Sequence, residues 1–134
     1  MSSIKTYEGF FDFFKKKNPI DSICKKWGIE NYTINEDGTI DVDGTVNLCW
    51  YKVTDYRSAL GELAEIPLKF RNVTGDFYCQ NSKLTSLEGC PQTVGGDFAC
   101  ENNRLSSLEG CPQSVGGDFT CYDNQLETLE GAPK

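Results

Sequence analysis

VTGDFYCQNSKLTSLEGCPQT (73–93), VGGDFACENNRLSSLEGCPQS (94–114) and VGGDFTCYDNQLETLEGAPK (115–134) are three consecutive versions of one 21-residue unit, with no insertion or internal deletion between them. Self-similarity at such a period is the signature of a repeat architecture. One unit is too small to bury its own apolar face, and neighbouring units bury it together. In the middle unit the alternation Asp97-Phe98-Ala99-Cys100 reads as a short strand with Phe98 and Cys100 inward. Gly95-Gly96 permits a tight return on the far side, and Gly110-Cys111-Pro112 makes another turn.

The inward positions lie on a fixed grid, L-x-L-x-x-N-x-L-x-x-L, with Phe and Cys in the first two slots. Phe98, Cys100, Leu105 and Leu108 fill it in the middle unit, Phe77, Cys79, Leu84 and Leu87 in the first, and Phe119, Cys121, Leu126 and Leu129 in the third. The grid resembles the short variety of the leucine-rich repeat. The Asn slot holds Asn103 and Asn124, whose amides can bond backbone groups of a turn that are otherwise orphaned. Ser82 takes that slot in the first unit and can bond less completely.

A fainter copy lies upstream. Val42 to Leu48 matches Val73 to Cys79 slot for slot, and Leu63 and Ile66 match Leu105 and Leu108. The spacing between Leu48 and Leu63 implies an insertion over 49–62. Before it, Ile4, Tyr7, Phe10, Phe11 and Phe14 form one stripe of a helix over 3–17. Asn18 as N-cap, Pro19 at N1 and Asp21 at N3 start a second helix that stops at Gly28. A hairpin over 29–42 turns at Asp37-Gly38.

The expectation is therefore an α/β solenoid: leucine-rich-repeat coils with a parallel concave sheet and a helical and hairpin N-terminal cap. The cap covers 1–41 and the solenoid 42–134. Within the solenoid, a degenerate coil spans 42–72 and regular coils span 73–93, 94–114 and 115–134. The segments NYTINEDGTIDVDGTVNL (31–48), AEIPLKF (64–70) and the LTSLEGCPQTVGGDF type of unit resemble, more narrowly, short leucine-rich-repeat proteins of tailed bacteriophages and other large DNA viruses. That resemblance implies a small, non-enzymatic binding scaffold.

Composition narrows the function classes. The chain has 134 residues, no His, and a net charge of −7. Residues 1–28 are net basic and 29–134 strongly acidic, so the body repels phosphates; no nucleic acid is expected as a partner. No apolar run approaches a membrane span and MSSIKTYEGF lacks a signal-peptide layout, so the expectation is cytoplasmic, without membrane attachment. Absence of His removes the commonest metal ligand and the usual Ser–His and Cys–His nucleophile pairs. No C-x-x-C pair is present, so no metal or cofactor is expected, and the chain is not read as an enzyme. Cys79, Cys100 and Cys121 share one slot, and Cys90 and Cys111 share another whose third member is Ala132. Such slots are small and apolar, and the expectation is buried, free thiols.

The outward slots form three columns: Asp76, Asp97 and Asp118; Tyr78, Ala99 and Thr120; and Gln80, Glu101 and Tyr122. The Asp column has two readings, carboxylates that bond turn backbone and an acidic recognition face for a cationic partner. The insertion adds Trp50, Tyr51, Tyr56 and Arg57, residue types that dominate interface energetics; its alternative role is a short helix folded over the core. The function expected is a protein-binding scaffold acting through the concave face and the insertion, a virus-encoded factor that binds or inhibits a host protein in the host cytoplasm. The alternative is a structural, assembly or oligomerisation module. The partner expected is a protein, basic or host-derived. A homodimer through the last coil is expected on the apolar slots left there, with the partner at that end as the alternative.

Overall fold

The computed structural model describes residues 18–49 and 63–133. The helix expected over 3–17, and Trp50, Tyr51, Tyr56 and Arg57 of the insertion, lie outside the described residues. Asn18 caps helix α1 (Pro19–Lys26), its Oδ1 accepting the Ile20 N–H at 2.9 Å. Asp21 sits in the first turn, where negative charge suits the helix dipole, and Lys25 and Lys26 lie in the last. The helix ends at Trp27, with Gly28 at φ 68°. The hairpin pairs β1 (Tyr32–Ile34) with β2 (Ile40–Val42) in antiparallel register. The Tyr32 hydroxyl donates to the Asp21 carboxylate, which ties the hairpin to α1.

Seven further strands follow: β3 (Val46–Asn47), β4 (Phe70–Val73), β5 (Phe77–Tyr78), β6 (Thr93–Val94), β7 (Phe98–Ala99), β8 (Ser114–Val115) and β9 (Phe119–Thr120). They lie in two sheets, one ordered β1-β2-β4-β6-β8 and the other β3-β5-β7-β9. Every pairing except β1 with β2 is parallel. Register follows the repeat: Val42 pairs with Val73, Val73 with Val94 and Val94 with Val115. In the other sheet Val46 pairs with Phe77, Phe77 with Phe98 and Phe98 with Phe119.

The solenoid with one concave sheet and a separate cap is thus corrected. Among the described residues the chain is a small α/β domain with two parallel-rich sheets and one short helix. Each unit contributes two extended segments, one on either side of its Gly pair, and these segregate into different sheets. Thr93–Val94, which leads into the expected Gly95-Gly96 return, is a strand in its own right that the repeat reading did not assign. The hairpin is no separate cap either, because β2 pairs with β4 and so continues the first sheet.

The core runs between the two sheets. Val46, Leu48, Phe77, Cys79, Leu84, Leu87, Phe98, Cys100, Leu105 and Leu108 are all fully buried. The rings of Phe77, Phe98 and Phe119 lie parallel, with centroids 5.7 and 5.5 Å apart, and Phe70 meets Phe77 edge-on at 5.1 Å. Burial fades toward the last unit. Phe119, Cys121 and Leu126 are half-buried, and Leu129 is 66% exposed.

Candidate protein-interaction face

The sheet β3-β5-β7-β9 positions the expected columns. Alternation puts Phe77, Phe98 and Phe119 inward and the residues beside them on the other side, where Ala99 is nonetheless covered at 6% exposure. Tyr78, Ala99 and Thr120 form one row in register with Asn47. Asp76, Asp97 and Asp118 precede the strands; Gln80, Glu101 and Tyr122 follow them.

The Asp column is a relay to backbone. Asp76 Oδ1 accepts the Asp97 N–H at 2.7 Å, and Asp97 Oδ1 accepts the Asp118 N–H at 2.8 Å. Thr45 Oγ1 does the same for the Asp76 N–H at 3.1 Å. Asp76 and Asp97 therefore each support the following unit rather than their own turn. The space it occupies explains the second Gly of each pair: a Cβ on Gly96 would lie 2.0 Å from Asp76 Oδ1. The second oxygen of Asp76 accepts from the Tyr78 hydroxyl at 2.9 Å, which fixes that ring over the sheet.

The third column is less satisfied internally. Glu101 accepts from the Thr120 hydroxyl at 2.7 Å. Gln80 Oε1 is buried and has no hydrogen-bond partner among the described residues. Tyr122 is 61% exposed. A buried acceptor without a donor costs about 1–3 kcal/mol.

Beneath the face, the Asn slot works as expected. Asn103 Oδ1 accepts the Leu84 N–H at 3.0 Å, while its Nδ2 donates to the carbonyls of Cys79 and Cys100 at 3.0 Å. Asn124 repeats this with Leu105, Cys100 and Cys121. Ser82 makes one long contact, its hydroxyl to the Gln80 carbonyl at 3.5 Å.

Cys24, Cys79, Cys90, Cys100 and Cys111 are free and buried, Cys49 is buried, and Cys121 is free and half-buried. That corrects the expectation for Cys121, because no described strand follows β9 to cover it. Burial pushes Cys24 up to about 11, with the Asp21 charge adding to the effect. It also raises Cys100. Cys79 is raised first by its hydrogen bond with the Cys90 thiol, then by burial.

Three features were not anticipated from sequence. Asn81, Asn102 and Asp123 share a left-handed backbone conformation, with φ between 54° and 59°, and Asn102 Nδ2 donates to Asn81 Oδ1 at 2.9 Å. The recurrence of short polar side chains after the third column is the signal, since Asn and Asp tolerate that region best. On the other sheet, Asp41 is bonded by the Arg71 guanidinium, which holds its carboxyl below the usual range. The Asn72 N–H also donates to Asp41, and Thr93 donates to Asn72 Oδ1 at 2.6 Å.

No family model, curated protein or solved structure matches this chain. Among the described residues, no helix is long and apolar enough to cross a membrane.

Proposed function

We propose that this chain is a non-catalytic protein-binding scaffold whose contact face is the outward side of the β3-β5-β7-β9 sheet. The observation that carries the reading is the third column: the exposed Tyr122 and the half-buried Glu101 and Gln80 follow one another along one side of the sheet. Aromatic anchors beside polar side chains are what interface centres use. The segment bearing Trp50, Tyr51, Tyr56 and Arg57 follows directly on Cys49, at the end of the same sheet's first strand, and supplies further anchors. The acidic charge of 29–134 favours a basic protein as partner. The resemblance to virus-encoded repeat proteins makes a host protein the class to search.

The test is affinity capture from a host lysate, followed by quantitative binding of the recovered protein to variants. Tyr78→Ala, Tyr122→Ala and a Trp50→Ala/Tyr56→Ala double variant should each weaken binding at least ten-fold while the far-UV circular dichroism stays unchanged. Intact affinity in all of them would overturn the reading. An assembly module is the second reading, favoured by the exposed Leu129 and half-buried Phe119 of the last unit. It requires light scattering to report about twice the chain mass of 15.0 kDa.

A further inference from the structure

An open groove of about 480 Å³ runs alongside α1. Three parts of the chain line it: α1, the segment that leads into β4, and the last turn of the first regular unit. Its apolar lining is Ile20 and Ile23 of α1 with Ile66, Pro67 and Leu68. Ile20 and Ile23 share a helical stripe with the buried Cys24 and Trp27, yet are themselves only half-buried. Two exposed acids, Glu65 and Glu88, stand among the lining residues, and the exposed Asp37 adjoins a third, Gly38. Lys69 is the one cation among the described lining residues.

We infer that this groove seats the chain's own segment 3–17. That segment carries Ile4, Tyr7, Phe10, Phe11 and Phe14 at helical spacing. A lone helix of such a length is marginal in water and needs a surface to pack on. Four aromatic rings, at roughly 150–250 Å² each, amount to about 600–1,000 Å² of apolar surface, where soluble monomers expose contiguous patches of a few hundred Å². The segment joins directly to Asn18, the N-cap of α1, and Ile20 lies just beyond that joint. So short a tether acts as a local concentration in the millimolar range, far above that of a second copy at micromolar concentration. Charge agrees with the fit. Lys15, Lys16 and Lys17 close the segment, and they complement Glu65 and Glu88. The groove shares no residue with the outward face of β3-β5-β7-β9, so a seated segment leaves that face open to a partner.

The experiment uses the intact protein at low micromolar concentration, as an equal mixture of unlabelled and nitrogen-15-labelled chains. A carbodiimide joins amines to carboxylates that touch, without a spacer, and the digest is mapped by mass spectrometry. Lys15, Lys16 or Lys17 should link to Glu65 or Glu88, with both halves of each link carrying the same label. Links between unlike labels would show that a second copy's segment fills the groove and would overturn the inference. So would links only to Asp76, Asp97 or Glu101 of the sheet face, or none to Glu65 or Glu88. Tryptic cleavage at Lys15 to Lys17 supplies a second measurement. It should quicken at least five-fold in Phe10→Ser/Phe14→Ser, and several-fold in Glu65→Gln/Glu88→Gln, which changes only exposed side chains. An equal cleavage rate in all three proteins would also overturn it. Tyr78→Ala should change neither the links nor the cleavage rate, so this inference and the sheet-face reading fail independently.

Discussion

Replacing Asn103 with alanine tests whether one buried amide holds two units together. The side chain is 8% exposed and connects three backbone groups at 3.0 Å: the Leu84 N–H and the carbonyls of Cys79 and Cys100. Asn103→Ala leaves the Leu84 N–H and the Cys79 carbonyl without a partner in a space that an alanine cannot fill, while the Cys100 carbonyl keeps its bond from Asn124 Nδ2. At about 1–3 kcal/mol for each of the two orphaned groups, and allowing for some relaxation, the loss should be about 2–4 kcal/mol. That is a large share of the stability of a domain this size. Asn124 makes the equivalent bonds but is only half-buried, so water replaces much of what Asn124→Ala removes and the cost should be about 1 kcal/mol. Urea titration followed by circular dichroism separates the two. With a slope of about 2 kcal/mol/M, the Asn103→Ala midpoint should fall by about 1–2 M and that of Asn124→Ala by about 0.5 M, with slopes unchanged. An Asn103→Ala shift no larger than that of Asn124→Ala would refute the reasoning.

Gly95→Ala would place a Cβ 2.1 Å from the Thr74 carbonyl oxygen, a backbone atom that cannot turn away, and should cost about 2–3 kcal/mol. Gly38→Ala meets nothing within 4 Å at φ +86° and should cost about 1 kcal/mol by thermal denaturation; the reverse ranking would contradict the close approach. For the thiols, a disulfide-exchange reagent at pH 8 should modify Cys121 first in the native protein and all seven cysteines in denaturant without reductant; a missing pair would contradict free thiols. Because the folded state raises the Cys24 pKa to about 11, the contribution is fully present below the unfolded value near 8.5 and is lost as pH climbs toward 11. The urea midpoint should hold between pH 6 and 8 and fall above about pH 9, less steeply in Cys24→Ala; an equal midpoint at pH 7 and 10.5 would count against it.

What the sequence disclosed depended on whether a side-chain type was enough to settle a position. The Asn18-Pro19 start of α1 and the Asp37-Gly38 hairpin were legible because local chemistry fixes them. The register of Val42 with Val73 and of Val46 with Phe77 was legible because slots align even where residues differ. The second sheet was not. A two-residue strand such as Thr93–Val94 is too short to show alternation, and the adjoining glycines read as a turn. Nor could the repeated acids say what they face, since Asp76 and Asp97 reach across to the next unit's backbone, a contact visible only in space. Cys121 shared a slot with Cys79 and Cys100, but its burial depends on what lies beyond it.

The near-identity of the units also has a kinetic consequence. VGGDF occurs at 94–98 and again at 115–119, and both can present the same backbone groups to β5. Pairing β5 with β9 instead of β7 doubles the loop that must close, yet by loop entropy that adds only about 0.6 kcal/mol. Skipping a unit is therefore a cheap early error. The error becomes expensive only when the omitted unit leaves Phe98, Leu105 and Leu108, all fully buried in the native state, in contact with water. Refolding of this chain should consequently partition between a direct route and a slower one. In the slower route, a skipped unit must be released before the native order can form, as misassembly in repeated sequences demands.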